Sequence, residues 1–406
     1  RDPTTWLDKK LFEEILRSYF ADKELTVEDF FIGLASHAGE QHYASTLYCA
    51  TVQYLTKDDR NGSLPLILKF ISSKINQLAD KTSFETEFIV YNNIIPEMSQ
   101  LLKLAGDDSA EIAPELIYSS NEPAPMLVLQ DVDHHQYVTH KKLFSLENTK
   151  MIATKLAKWH ATSLFVAHDM GNTKIKTCTN GLFNLKENDG LMFMLDNVRV
   201  FTEELSKWDG YEKYVDKFEH LQDNFMTKGV EIFANKDEEH VFNVLNHGDL
   251  HYNNVMVKYD EFNKSKISDV LFIDFQLCFW GTPAIDLLYL LYLICDKETR
   301  DEHKSCIIMH YHEQFTQTLH EIGYINRIPT LLDLNCELLR NGFLEVVIAV
   351  CFVPFLFADL NKIGPNIVFG NCPESKDYRR ELYNHPEYKA IITKLLPDFL
   401  HKGFLA

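Results

Sequence analysis

Between residues 245 and 276 the chain reads "LNHGDLHYNNVMVKYDEFNKSKISDVLFIDFQ", two short apolar runs ringed by histidines, acids and asparagines. Val255-Met256-Val257 and Val270-Leu271-Phe272-Ile273, with a polar connection between them, read as an antiparallel hairpin. In such a hairpin the start of the first strand lies beside the end of the second. Asn254 opens the first strand and Asp274 closes the second, so their side chains meet at one edge, and Asp249 lies on the loop leading in. One amide and two carboxylates converging there suit a hard, oxygen-liking cation such as Mg²⁺ with a base beside it. Metal-assisted hydrolysis, phosphoryl transfer and a plain polar loop are the readings to separate.

The histidines do not make a zinc site. His247 and His251 have i, i+4 spacing, but Gly248 and Asp249 lie between them and a strand follows closely, so the segment is loop, and no third ligand stands out. His134-His135 read as a partly exposed pair and His160 as a packed helix histidine. Phosphoryl transfer uses more of the chain at once. Asp249 and Asn254 have the Asp-x-x-x-x-Asn spacing of a kinase catalytic loop, where the Asp accepts the acceptor hydroxyl's proton and the Asn binds Mg²⁺. Asp274, in "FIDFQ", follows its strand as a kinase metal-binding Asp does. Asp286 begins the helix "IDLLYLLYLI", where it either compensates the helix dipole or tethers the catalytic loop.

Other elements must hold these groups in place. "RDPTTWLDKKLFEEILRSYF" is an amphipathic helix pattern carrying acids, unlike a secretory signal. Strand-like runs on either side of a polar loop at 35–45 follow, then a turn in "TKDDRNGS" at Asn61-Gly62, then the strand "LPLILKFI". "DKTSFETEFIVYNNIIPEM" switches to a helical period, with Thr82 and Glu85 as a capping box and Phe84, Phe88, Tyr91 and Ile95 as the apolar face. Glu87 lies on that same face, and a buried carboxylate needs a partner; Lys69, near the end of the preceding strand, is the candidate. "APMLVLQDVD" is a further strand, ending at Gln130-Asp131, and from about residue 145 the pattern is mainly helical. A small β-rich lobe and a larger helical lobe leave a cleft between them for a ligand.

Bulk properties narrow the partners. The chain has 406 residues, 46% hydrophobic and 24% charged, ordinary for a globular protein. A net charge of −19 argues against a nucleic-acid or anionic-membrane partner. Eight scattered cysteines with no C-x-x-C pair read as reduced thiols in a cytoplasmic protein. The apolar run at 346–358 contains Pro354 and is shorter than the ~20 residues a membrane span takes. It reads as a buried helix interrupted near the proline.

Taken together, "LNHGDLHYNN…VLFIDFQLCFWGTPAIDLLYLL", "FETEFIVYNNIIP", "MLVLQDV", "LAKWHATS" and "GEQHYAS" resemble the insect ecdysteroid kinase-like family, in the aminoglycoside phosphotransferase and choline kinase group. The resemblance covers nearly the whole chain. It implies an α+β, two-lobed protein-kinase-like fold, with a nucleotide-binding lobe over 1–131 and a helical lobe with catalytic loop and acceptor site over 132–406. It further implies transfer of phosphate from ATP, with Mg²⁺, to a hydroxyl of a small molecule such as an ecdysteroid. Carried over, Asp249 is the base, Asn254 and Asp274 are the Mg²⁺ ligands, and Lys69 with Glu87 forms the phosphate-binding pair. Gly39, Tyr43 and Ser45 belong to the loop covering the phosphates, and Gln130, Asp131 and Val132 form the hinge that meets adenine. His251 stands where the family often has Trp, and Gln130 where an acid is common, which bears on the acceptor and nucleotide surroundings. Xenobiotic phenols or glycosides are alternative acceptors, and a non-catalytic nucleotide-binding pseudokinase is the alternative of another class. A protein kinase fits less well, because no A-P-E segment follows Asp274.

Overall fold

Asp8 caps the first helix, α1 (Lys9–Phe20), accepting the Leu11 N–H at 2.9 Å. Phe12, Ile15 and Leu16, spaced for one helical face, are buried against a β-sheet. The computed structural model describes residues 7–34, 45–71, 78–122, 124–140, 142–179, 181, 189–233, 242–359, 363–368, 370 and 372–406. Within them β1 (Thr26–Leu34), β2 (Ser45–Leu55), β3 (Asn61–Ile71), β4 (Leu116–Ser120) and β5 (Met126–Gln130) form a five-stranded sheet, in the order β1-β2-β3-β5-β4. All of its pairings are antiparallel.

The strands sort their side chains by alternation. Leu66, Leu68 and Phe70 of β3 and Met126 and Val128 of β5 pack with α1. Leu127 and Leu129 enter the core on the opposite side. Lys69, between Leu68 and Phe70, therefore projects to that opposite side, toward α2 (Leu78–Ile89).

Two local expectations shift. The turn after β2 is made by Thr56–Arg60, with Asp59 in the left-handed region at φ 56°. Asn61 and Gly62 already belong to β3, opposite Leu55 and Tyr54. A Cβ at Gly62 would lie 2.3 Å from the Tyr54 ring as it is placed. Helix α2 begins at Leu78, so Thr82 lies inside it rather than at its cap. A π-turn at Val90–Ile94 then joins α2 to α3 (Ile95–Leu104), which has Pro96 in its first turn.

Beyond the hinge come β6 (Tyr137–Thr139), α4 (Leu146–His168), α5 (Asp189–Leu205) and α6 (Glu212–Phe233). Next are β7 (Val244–Asn246), β8 (Val255–Tyr259), β9 (Ile267–Phe272) and β10 (Phe279–Gly281). The helices α7 (Ala284–Tyr289), α8 (Lys297–Glu321), α9 (Leu331–Arg340) and α10 (Gly342–Cys351) follow. β6-β8-β9 form a three-stranded sheet and β7-β10 a two-stranded one. The plan is the α+β one expected: a β-sheet in the N-terminal part and a mainly helical C-terminal part.

One core runs from Phe84, Tyr91 and Met98 through α4 to α10, so the α2–α3 segment packs with the helical part. Lys155 of α4 pins the two together. Its buried ammonium donates to the Ser109 and Glu111 carbonyls at 3.0 and 2.7 Å and pairs with Asp269 of β9 at 3.1 Å. Every residue of α10 is buried. The apolar run is broken as expected, α10 ending at Cys351 and a 3₁₀ turn over Val353–Phe357 taking up Pro354. Pro354 has no N–H for the Val350 carbonyl, and the Tyr383 hydroxyl donates to that carbonyl instead, at 3.1 Å. Among the described residues no single helix is long and apolar enough to cross a membrane.

Candidate active site

The loop carrying Asp249 leaves β7 and is held by α7. The fully buried Asp286 carboxylate accepts the backbone N–H of His247 at 2.6 Å and of Gly248 at 3.0 Å. Asn246 Oδ1 in return accepts the Asp286 N–H at 3.3 Å. Asp286 is therefore a tether of the loop. His160 of α4 completes its surroundings, Nε2 lying 3.1 Å from Asp286 and Nδ1 2.7 Å from the Tyr311 hydroxyl. Burial lowers the His160 pKa although Asp286 pulls it upward, so the ring is neutral near pH 7. Nε2–H then donates to Asp286 and Nδ1 accepts from Tyr311.

Gly248 has φ +82°, and a Cβ there would lie 1.9 Å from the Leu277 carbonyl oxygen. An alanine meets both a backbone clash and a left-handed conformation that costs about 1–3 kcal/mol. Gly248→Ala is expected to lower the melting temperature and to cut turnover at least about tenfold, since a loop displaced by ~1 Å loses its alignment. Thermal unfolding and steady-state kinetics on the same preparation check both effects.

Asp249 follows, partly exposed, with its side chain 31% accessible. Asn254 ends the short 3₁₀ turn Tyr252–Asn254, and its Nδ2 donates to the Asp249 carbonyl at 2.9 Å and approaches the carboxylate at 3.3 Å. The amide nitrogen thus faces Asp249 and the amide oxygen faces the other way. The hairpin is the expected one: Val255 pairs with Phe272, and the Ile273 N–H donates to the Asn254 carbonyl at 3.1 Å. That register sets Asp274 beside Asn254, with Asp274 itself in the left-handed region at φ 69°.

Lys69 reaches this edge from the sheet. Its ammonium lies 2.6 Å from Glu87 Oε2 and 2.9 Å from Asp274 Oδ1, and Glu87 Oε1 accepts the Phe275 N–H at 3.2 Å. Burial alone would push the Lys69 pKa down; Asp274 and Glu87 more than offset this and hold it above the ordinary lysine value. Lys69 is therefore a fixed cation joining β3, α2 and the Asp274 turn. The Lys69–Glu87 contact was expected from sequence. The bond to Asp274 was not.

The donors at this edge are oxygens, one carboxylate and one amide, and among the described residues no three His, Cys, Asp or Glu side chains cluster to hold a metal by themselves. That composition fits Mg²⁺, which binds through one or two protein oxygens and takes the rest from water and phosphates. It does not fit zinc. His247 is fully buried, its Nε2–H donating to the Ile273 carbonyl at 2.9 Å and its Nδ1 facing the Asp249 N–H at 3.4 Å. His251 Nδ1 accepts the Asn253 N–H at 3.3 Å.

Gly39 and Tyr43 lie outside the described residues. Ser45 begins β2 opposite Ile71, and its side chain is outside the described part. In the segment expected to be the hinge, the Gln130 N–H donates to the Glu115 carbonyl at 2.9 Å and the Asp131 N–H to the Pro65 carbonyl at 3.3 Å. Val132 packs with Met256 and Leu271, an apolar contact between this segment and the β8–β9 hairpin. The α10 break carries the half-buried Phe352 and Phe355. Phe352 faces Tyr289 (ring centroids 6.0 Å apart) and Phe355 faces Phe193 (5.9 Å).

The model of the ecdysteroid kinase-like family matches residues 39–324. Among solved structures, an ethanolamine kinase from Plasmodium vivax is similar, with 11% sequence identity and a TM-score of 0.40. The likeness covers 89% of this chain and 83% of that one. No curated protein matches.

Proposed function

The chain belongs to the ecdysteroid kinase-like family, and we propose that it moves the γ-phosphoryl group of ATP to a hydroxyl of an ecdysteroid or similar apolar alcohol in the cytoplasm. Family membership supports a small-molecule kinase. The single observation carrying the site assignment is the bond between Lys69 and Asp274, 205 residues apart, which joins the sheet to the catalytic hairpin beside Asp249 and Asn254.

From these positions each residue has a task. Asp249 takes the proton of the acceptor hydroxyl as that oxygen becomes a nucleophile. Asn254 holds Asp249 through its Nδ2, which leaves its amide oxygen on the far side from Asp249. Lys69, a cation at any physiological pH, holds phosphate oxygens, and Glu87 keeps it extended. Asn254 and Asp274 would hold Mg²⁺, which when bound offsets charge on the phosphates. The apolar rings at the α10 break suit a largely apolar acceptor better than a polycation. A pseudokinase would have little use for all four of Lys69, Asp249, Asn254 and Asp274.

An acceptor screen tests this. With labelled ATP, ecdysteroids, glycosides, phenols, choline and kanamycin are compared at equal concentration. Transfer to an ecdysteroid or similar apolar alcohol, with little to choline or kanamycin, is expected. Efficient turnover of cationic acceptors only would overturn the acceptor class and leave the kinase assignment standing.

A further inference from the structure

Tyr289 ends α7 three residues after Asp286, a spacing that puts the two on one helical face. Asp286 uses that face to hold the His247 and Gly248 N–H groups, so Tyr289 also looks toward the catalytic loop. It is wholly buried, and its hydroxyl has no hydrogen-bond partner among the described residues. Burying a hydroxyl unpaired is costly, and native structures pair nearly all such groups. An exception beside a catalytic loop fits a site that a ligand completes. Burial, then the nearby Asp249 and Asp286 carboxylates, hold the phenol well above the ordinary tyrosine value, so it keeps its proton and stays a donor.

The covering residue is identifiable. Phe352 packs against the Tyr289 ring, is half-buried, and occupies the non-helical end of α10 (φ −122°), at the break that Pro354 imposes. A side chain at such a break can turn aside without unwinding a helix.

We propose that the Tyr289 hydroxyl donates a hydrogen bond to a second oxygen of the acceptor, close to the hydroxyl that Asp249 deprotonates, and so favours acceptors that carry an oxygen at that place over ones that carry an ammonium there. Phe352 gives way as the acceptor enters. This rests on the kinase reading above and adds a specificity residue to it. An ammonium group has donors only and cannot use this contact, whereas a hydroxyl or ether oxygen can.

Tyr289→Phe keeps the ring and removes only the hydroxyl. With 20-hydroxyecdysone as probe, the variant is expected to lower kcat/KM about three- to tenfold, the worth of one neutral hydrogen bond. The KM for ATP stays where it was. On a set of single-deoxy analogues, the one lacking the contacted oxygen is turned over equally by both proteins. The melting temperature of the variant stays equal or rises, because an unpaired buried hydroxyl has been removed. An equal loss on every analogue, no loss on any, or a lowered melting temperature with a changed ATP KM would overturn the inference alone. A wild-type protein that phosphorylates none of these ecdysteroid probes would overturn the proposed acceptor class and this inference with it, and leave the kinase assignment to the acceptor screen.

Discussion

Asp249→Asn should lower turnover by about 10²–10⁴, the usual contribution of a positioned general base, while ATP continues to bind. The substitution is nearly isosteric, and the asparagine oxygen can still accept from Asn254 Nδ2, so the loop keeps its 2.9 Å anchor to the residue 249 carbonyl. The tether through Asp286 reaches His247 and Gly248 by their backbone and is untouched. Only the capacity to take a proton disappears. The loss should therefore fall on kcat, with the ATP KM and the melting temperature close to those of the native protein. Near-normal turnover would remove Asp249 from the mechanism.

Asp274→Asn should abolish the gain in nucleotide affinity that Mg²⁺ brings, and lower turnover by about 10³ or more, since a lost metal contact is worth several kcal/mol of charge stabilisation. Asparagine is the cleaner choice over alanine, because residue 274 has φ 69° and Asn tolerates that region as Asp does. Lys69 keeps Glu87 at 2.6 Å, so its buried ammonium is not left alone. Thermal shifts with ATP, recorded with and without Mg²⁺, separate the two contributions: the native protein should respond to the metal and the variant should not. Equal Mg²⁺ responses in both proteins would move the cation away from Asp274. Full activity after exhaustive chelation would contradict the metal dependence altogether.

Much of this edge was legible before any fold was known, for physical reasons. Two bare apolar runs, too short for helices and separated by a polar link, force a hairpin, and the hairpin brings Asn254 beside Asp274. A carboxylate on a buried helical stripe demands a cation, which tied Glu87 to Lys69. Long-range bonds left no such mark. Nothing local to Lys69 indicates that Asp274 will be its second partner. His160 and Tyr311, which complete the pocket of Asp286, look like any packed helix residues; only the three-dimensional chain Tyr311–His160–Asp286 distinguishes them. Local signals also misled where tertiary packing overrode them. Thr82 and Glu85 have capping-box spacing, yet α2 starts at Leu78. Asn61-Gly62 has the composition of a turn, yet both residues pair in β3, Gly62 opposite Tyr54. Strands β6, β7 and β10, each three residues long, are too short to show a period.

The most direct measurement follows the γ-phosphate itself. ATP labelled in that position is incubated with the native protein, Mg²⁺ and a neutral apolar alcohol from the ecdysteroid class, and the organic products are separated from nucleotide and inorganic phosphate. Label in a phosphomonoester of the alcohol, absent after chelation and formed about 10²–10⁴ times more slowly with Asp249→Asn, is the result this site predicts. Bound nucleotide with no label in any alcohol, under conditions where Mg²⁺ strengthens ATP binding, would contradict it and leave a nucleotide-binding protein without phosphotransfer.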